Sequence, residues 1–128
     1  MSKQRKTRVL VLDDQVDTAV FIEIALSVAG FEPVVCTEHP ERFFDQNFDV
    51  ALIDLLLADD NTGIPLIRTL SERGLKVVAM TGLPDDADLV SDAVQAGACL
   101  VVHKPFDLST LRTYIRCAIT GETPGPES

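Results

Sequence analysis

Four unbroken apolar runs constrain this chain more than anything else in it. They are Val9-Leu10-Val11-Leu12, Val50-Ala51-Leu52-Ile53, Val77-Val78-Ala79-Met80 and Cys99-Leu100-Val101-Val102. Nothing polar alternates within them, so each reads as a strand buried on both faces. A shorter strand reads at Pro33-Val34-Val35-Cys36. Its proline cannot donate to a ladder, which marks a sheet edge or a strand start.

Between these runs the pattern turns helical. Val20, Phe21, Ile24, Ala25 and Val28 share one face of a helix, with Asp17 or Thr18 as N-cap and Gly30 as its stop. Pro40 opens a short, weak helix through Phe43 and Phe44. Leu66, Ile67 and Leu70 follow Gly63 and stop at Gly74, and Leu89, Val90, Ala93 and Val94 run to Gly97. Asp107 reads as the N-cap of a last helix carrying Leu108, Leu111, Ile115 and Ile119. Five alternations of strand and helix predict an α/β fold: a doubly wound, five-stranded parallel sheet with helices on both faces and right-handed crossovers.

Length and charge narrow the classes. The 128 residues, 46% hydrophobic, suit one domain with a sizeable core. Residues 1–7 read as a solvated basic arm, 8–120 as the domain, and 121–128, with two prolines and two glycines, as a disordered tail or the start of a linker. A net charge of -9 argues against direct nucleic-acid binding. No run approaches the ~20 apolar residues that span a bilayer. The first apolar run ends after four residues in two aspartates, unlike a signal peptide. Cys36, Cys99 and Cys117 read as small buried hydrophobes in a reducing compartment, so the expected location is cytoplasmic.

Ligands of doubly wound sheets bind beyond the carboxyl ends of the strands. Here four strands end there in functional side chains: Asp13 and Asp14, then Asp54, Thr81 and Lys104. Three acids at one rim repel, and a divalent cation relieves that repulsion. An oxygen-only set suits Mg2+, and no His or Cys is placed to favour zinc. Lys104 and the Thr81 hydroxyl then suit phosphoryl oxygens, with Asp54 as the carboxylate nucleophile that accepts the phosphoryl group. A nucleotide or flavin domain of the same architecture is disfavoured, because the first turn, Leu12-Asp13-Asp14-Gln15, lacks a glycine-rich cradle. A phosphatase with an aspartyl nucleophile wants a second acid where this chain has Leu56.

Taken together, VLVLDD with Asp13 and Asp14, ALIDLLL with Asp54, MTG with Thr81 and HKPF with Lys104, Pro105 and Phe106 resemble the receiver domain of bacterial two-component response regulators. The resemblance covers about residues 8 to 120. It implies a flavodoxin-like (βα)5 fold with strand order 2-1-3-4-5. It also implies that Asp54 takes its phosphoryl group from a sensor histidine kinase or a histidine phosphotransfer protein and signals to a downstream protein target. Asp14, Asp54 and the backbone carbonyl of Leu56 would ligate Mg2+, with Asp13 acting through water, and Lys104-Pro105 would be cis. A receiver that works only as a phosphorylation-independent interaction module is the alternative.

Several positions depart from the family pattern. The switch aromatic three residues before the lysine is Val101, and the proline four residues past the phosphoacceptor is Ala58. Leu56 and Leu83 occupy the positions that tune hydrolysis, and apolar side chains cannot orient an attacking water. Slow autodephosphorylation is therefore expected. Asp85 to Gln95 holds no Lys or Arg, which favours a monomer. His103 reads as a strand-end residue facing solvent, and His39 has no assigned role. The acids Asp85, Asp86 and Asp88 read as a solvated helix start.

Overall fold

A computed structural model describes residues 6–37, 40–43, 45–57, 62–83 and 87–124. Most of the N-terminal arm, His39, Phe44, Ala58, Asp85, Asp86 and the end of the tail lie outside the described residues. In chain order the elements are β1 (Arg8–Leu12), α1 (Val16–Val28), β2 (Glu32–Cys36), a 3-10 turn (Pro40–Phe43), β3 (Val50–Asp54), α2 (Ile64–Glu72), β4 (Lys76–Thr81), α3 (Asp88–Ala96), β5 (Leu100–His103) and α4 (Leu108–Thr120). The five strands form one parallel sheet in the order β2-β1-β3-β4-β5. Pro33 sits on the edge strand, opposite Val9. The helix expected after Pro40 is a 3-10 turn in its described part.

Strand side chains alternate between two apolar layers, as a period of two requires. Val9, Val11, Val50, Leu52, Val78, Met80 and Val102 face α1 and α4. Leu10, Leu12, Ala51, Ile53, Val77 and Ala79 face α2 and α3. A sheet covered on both sides explains why the strands carry no polar alternation.

Helix α1 turns a different face inward from the one expected. Ala19, Ile22, Ala25 and Leu26 are buried, while Val16, Val20, Phe21, Ile24 and Val28 remain 44–70% exposed. Of the expected face only Ala25 is inside. The helix is apolar nearly all round, and its polar residues Asp17, Thr18, Glu23 and Ser27 scatter about the axis, so they mark no solvent side. Its N-cap is Gln15, with no side-chain cap bond, rather than Asp17 or Thr18.

Smaller corrections fall elsewhere in the chain. Val94 and Ile119, expected inside, are 55% and 41% exposed. Val90, Ala93 and Ala96 cover the sheet in α3, and Leu111, Ile115 and Ala118 do so in α4. In both helices alanine supplies the close contact that the larger neighbour was expected to make. Cys99 is exposed rather than buried, because β5 begins one residue after it; Cys117 is half-buried and Cys36 buried, and all three are free thiols. His103 is half-buried with its Nε2 out of water, rather than facing solvent. Asp107 caps α4 as expected, accepting from the Thr110 N–H at 2.8 Å. That bond holds its carboxyl below the usual carboxylate range.

Candidate functional site

The sheet register brings the rim residues together. Asp54 is the last residue of β3, opposite Met80, and Thr81 ends β4 opposite His103. The Lys104 N–H donates to the Thr81 carbonyl at 2.7 Å, which continues the ladder one step past β5. Asp13 and Asp14 follow β1 directly. Asp13, Asp54 and Thr81 are the buried polar residues among those described. All five rim residues singled out in the sequence therefore meet at one end of the sheet.

Lys104 is the hub of the polar contacts. Its Nζ donates to Asp13 Oδ2 at 3.0 Å and to Asp54 Oδ2 at 2.9 Å. The other oxygens of both carboxylates are held by backbone. Asp13 Oδ1 accepts from the Gln15 N–H at 2.9 Å, and Asp54 Oδ1 accepts from the Leu56 N–H at 3.1 Å. The Thr81 Oγ1 accepts from the Leu83 N–H at 2.9 Å. Each acceptor thus has a donor two residues later, in the turn that follows its strand. The sequence reading missed Gln15 and these backbone donors. They are set by turn geometry and leave no signature in side-chain type.

Burial pushes the Asp54 carboxyl above its ordinary range. The bonds from Lys104 and the Leu56 N–H and the charge on Lys104 pull it down, and the Asp13 charge pushes it up; the net direction is up. Burial would lower Lys104, but its bonds to Asp54 and Asp13 outweigh that and raise it. The site therefore holds a charged ammonium between two carboxylates, one of which is reluctant to ionise.

The donor chemistry fits a hard divalent cation. Asp13, Asp14 and Asp54 each offer a carboxylate oxygen, and these oxygens lie within 4.8 Å of one another. Three carboxylates against one ammonium leave two formal negative charges uncompensated, and the cluster contains no nitrogen or sulfur ligand. Leu56 pairs with Thr62 in an isolated antiparallel bridge, and its side chain is half exposed beside Asp54. Leu83 and Val101 are partly buried against the layer under α2 and α3. The Lys104-Pro105 bond is cis, as the resemblance implied. An open groove of about 500 Å³ borders the site, lined by Asp17, Thr18, Phe21, Lys104, Pro105 and Phe106.

A parallel sheet in this order, with acids at two strand ends and a lysine at a third, is the architecture of a signalling receiver. A family model of the response regulator receiver domain matches residues 9–116, and the chain belongs to that family, the receiver domains of two-component signalling. It is 29% identical over 118 residues to the DNA-binding response regulator MtrA of Mycolicibacterium paratuberculosis, covering 89% of this chain and 52% of that protein. It is 31% identical over 114 residues to a cyclic di-GMP phosphodiesterase of Thermotoga maritima, covering 87% of this chain and 30% of that one. The chain thus spans about half the length, or less, of these relatives. Among solved structures, a CheY-like receiver domain protein from Methanospirillum hungatei superposes with a TM-score of 0.83 at 21% identity, covering 91% of this chain and 96% of that one. A response regulator from Thermotoga maritima gives 0.77 at 26% identity, covering 91% and 99%. Among the described residues no helix is long and apolar enough to cross a membrane.

Proposed function

We propose that Asp54 is the phosphoacceptor of this receiver and that its donor is a phosphohistidine on a sensor histidine kinase or a histidine phosphotransfer protein. The observation that carries this is the single Lys104 ammonium shared by Asp13 and Asp54 at the end of the sheet. The Asp54 carboxylate attacks phosphorus in line, and the P–N bond to the donor imidazole breaks. The electron pair of that bond stays on the imidazole nitrogen, and an acyl phosphate forms on Asp54.

The residues that would hold Mg2+ are Asp14, Asp54 and the Leu56 backbone carbonyl, with Asp13 acting through water. When bound, the ion supplies positive charge against the phosphoryl oxygens. Lys104 exchanges its bond to the Asp54 carboxylate for one to a phosphoryl oxygen. The Thr81 hydroxyl already accepts from the Leu83 N–H and donates its own proton to another. Movement of Thr81 and its loop then alters the surface of α3, β5 and α4 that a downstream protein target reads. Val101 leaves that readout without an aromatic side chain. The groove beside Lys104 and the exposed apolar face of α1 give a donor protein a surface to dock on.

In this reading residues 8–120 are the working receiver, a cytoplasmic monomeric switch rather than a catalyst, between a basic arm and a tail or linker start. Phosphate-affinity electrophoresis with acetyl phosphate and Mg2+ tests it. Wild type shifts and Asp54→Asn does not. A wild type that never shifts would instead support an interaction module that works without phosphorylation.

A further inference from the structure

The loop after β3 leaves Asp54 and returns against it. Leu56 and Thr62 form the antiparallel bridge at its neck, and the Gly63 N–H donates to the Leu55 carbonyl at 3.1 Å. The Gly63 Cα then lies against the backbone of Asp54. A Cβ there would fall inside van der Waals contact of the Asp54 carbonyl oxygen and 2.7 Å from Ile53 Cγ2. Gly63 has φ -79° and ψ -1°, which any residue adopts. Its backbone conformation does not require glycine; the close approach does.

We propose that Gly63 is a positioning residue for the cation site: the missing side chain lets the loop neck close on Asp54, and that closure sets the Leu56 carbonyl and the Asp54 carboxylate. The linkage is short. Gly63 follows Thr62, Thr62 pairs with Leu56, and the Leu56 N–H holds Asp54 Oδ1. A methyl group at position 63 meets two obstacles that cannot yield. Ile53 is fully buried in the apolar layer under α2 and α3, and the Asp54 carbonyl is backbone of a central strand. What gives is the Leu56–Thr62 neck, and Leu56 moves with it. The inference rests on the reading of Asp54 and Leu56 as cation ligands.

The test is a Mg2+ titration of the full chain followed by amide NMR shifts, for wild type, Gly63→Ala and Gly97→Ala. A Cβ at Gly97 would crowd Ser71, between α2 and α3 and away from the rim, so that variant controls for packing damage. Gly63→Ala weakens Mg2+ binding by about 10–100-fold, the range seen when groups that orient metal ligands are changed. Gly97→Ala lowers the melting temperature and binds Mg2+ as wild type does. Wild-type affinity in a folded Gly63→Ala overturns the proposal, as does an equal loss in Gly97→Ala. If Gly63→Ala does not fold, Thr62→Gly loosens the same neck without adding an atom: weaker binding supports the proposal and unchanged binding overturns it. A wild type that binds no Mg2+ defeats the underlying site reading, and this inference with it.

Discussion

The Lys104 ammonium lies 2.9 Å from Asp54 Oδ2 and bridges it to Asp13, so the proposed nucleophile is paired before any ligand arrives. That pairing offsets part of the repulsion among three clustered carboxylates. Lys104→Met removes it and leaves two buried carboxylates facing each other. The variant should lose up to about 3 kcal/mol of stability without divalent cation, below the full cost of breaking a buried pair because Lys104 is partly exposed. Mg2+ should restore more stability to this variant than to wild type. Urea melts with and without Mg2+ measure both effects.

Asp54→Asn should behave in the opposite way. The folded-state pKa of Asp54 is raised, so its ionised form costs stability at every pH above that value, and the cost fades as pH falls through it toward the unfolded value. At about pH 7, without Mg2+, the asparagine variant should be at least as stable as wild type. At about pH 4 the difference should shrink. A clear loss of stability at neutral pH would mean that the Lys104 bond outweighs burial.

Helix α1 gives a test of packing. Ile22 is fully buried and Ile24 is 58% exposed, two positions apart on one helix. Ile22→Ala should cost about 2–5 kcal/mol, and Ile24→Gln should stay within about 0.5 kcal/mol. Denaturant midpoints decide it. Equal losses would mean that the outer face of α1 is covered in solution.

Leu56 and Leu83 bear on the lifetime of the acyl phosphate. Neither side chain can orient a water, so the phosphorylated protein should persist, and Leu56→Asn or Leu83→Glu should speed its decay by about tenfold or more. Decay is followed after the donor is removed, without a phosphatase. Wild-type decay as fast as the variants' would remove this role for the two leucines.

The strands were legible because burial on both faces leaves no polar residue to break the run, and their acidic or hydroxyl ends stand out against it. The meeting of Asp13, Asp14, Asp54, Thr81 and Lys104 followed from the parallel sheet, which brings the carboxyl ends of all its strands to one rim. The inward face of α1 was not legible. A helix apolar nearly all round fits the sheet by either side, and the small Ala19 and Ala25 decide between them by how closely they let it approach. Backbone contacts were equally silent. The Gln15 and Leu56 N–H donors and the fit of Gly63 against Asp54 depend on turn geometry, which residue type reports poorly.

The central claim concerns one bond, the acyl phosphate on Asp54. Reduction with borohydride converts a phosphorylated aspartate to homoserine, which peptide mass spectrometry locates. After incubation with a phosphohistidine donor protein and Mg2+, the account predicts homoserine at position 54 in wild type and at no position in Asp54→Asn. Homoserine at Asp13 or Asp14, or conversion that survives the substitution, would contradict it.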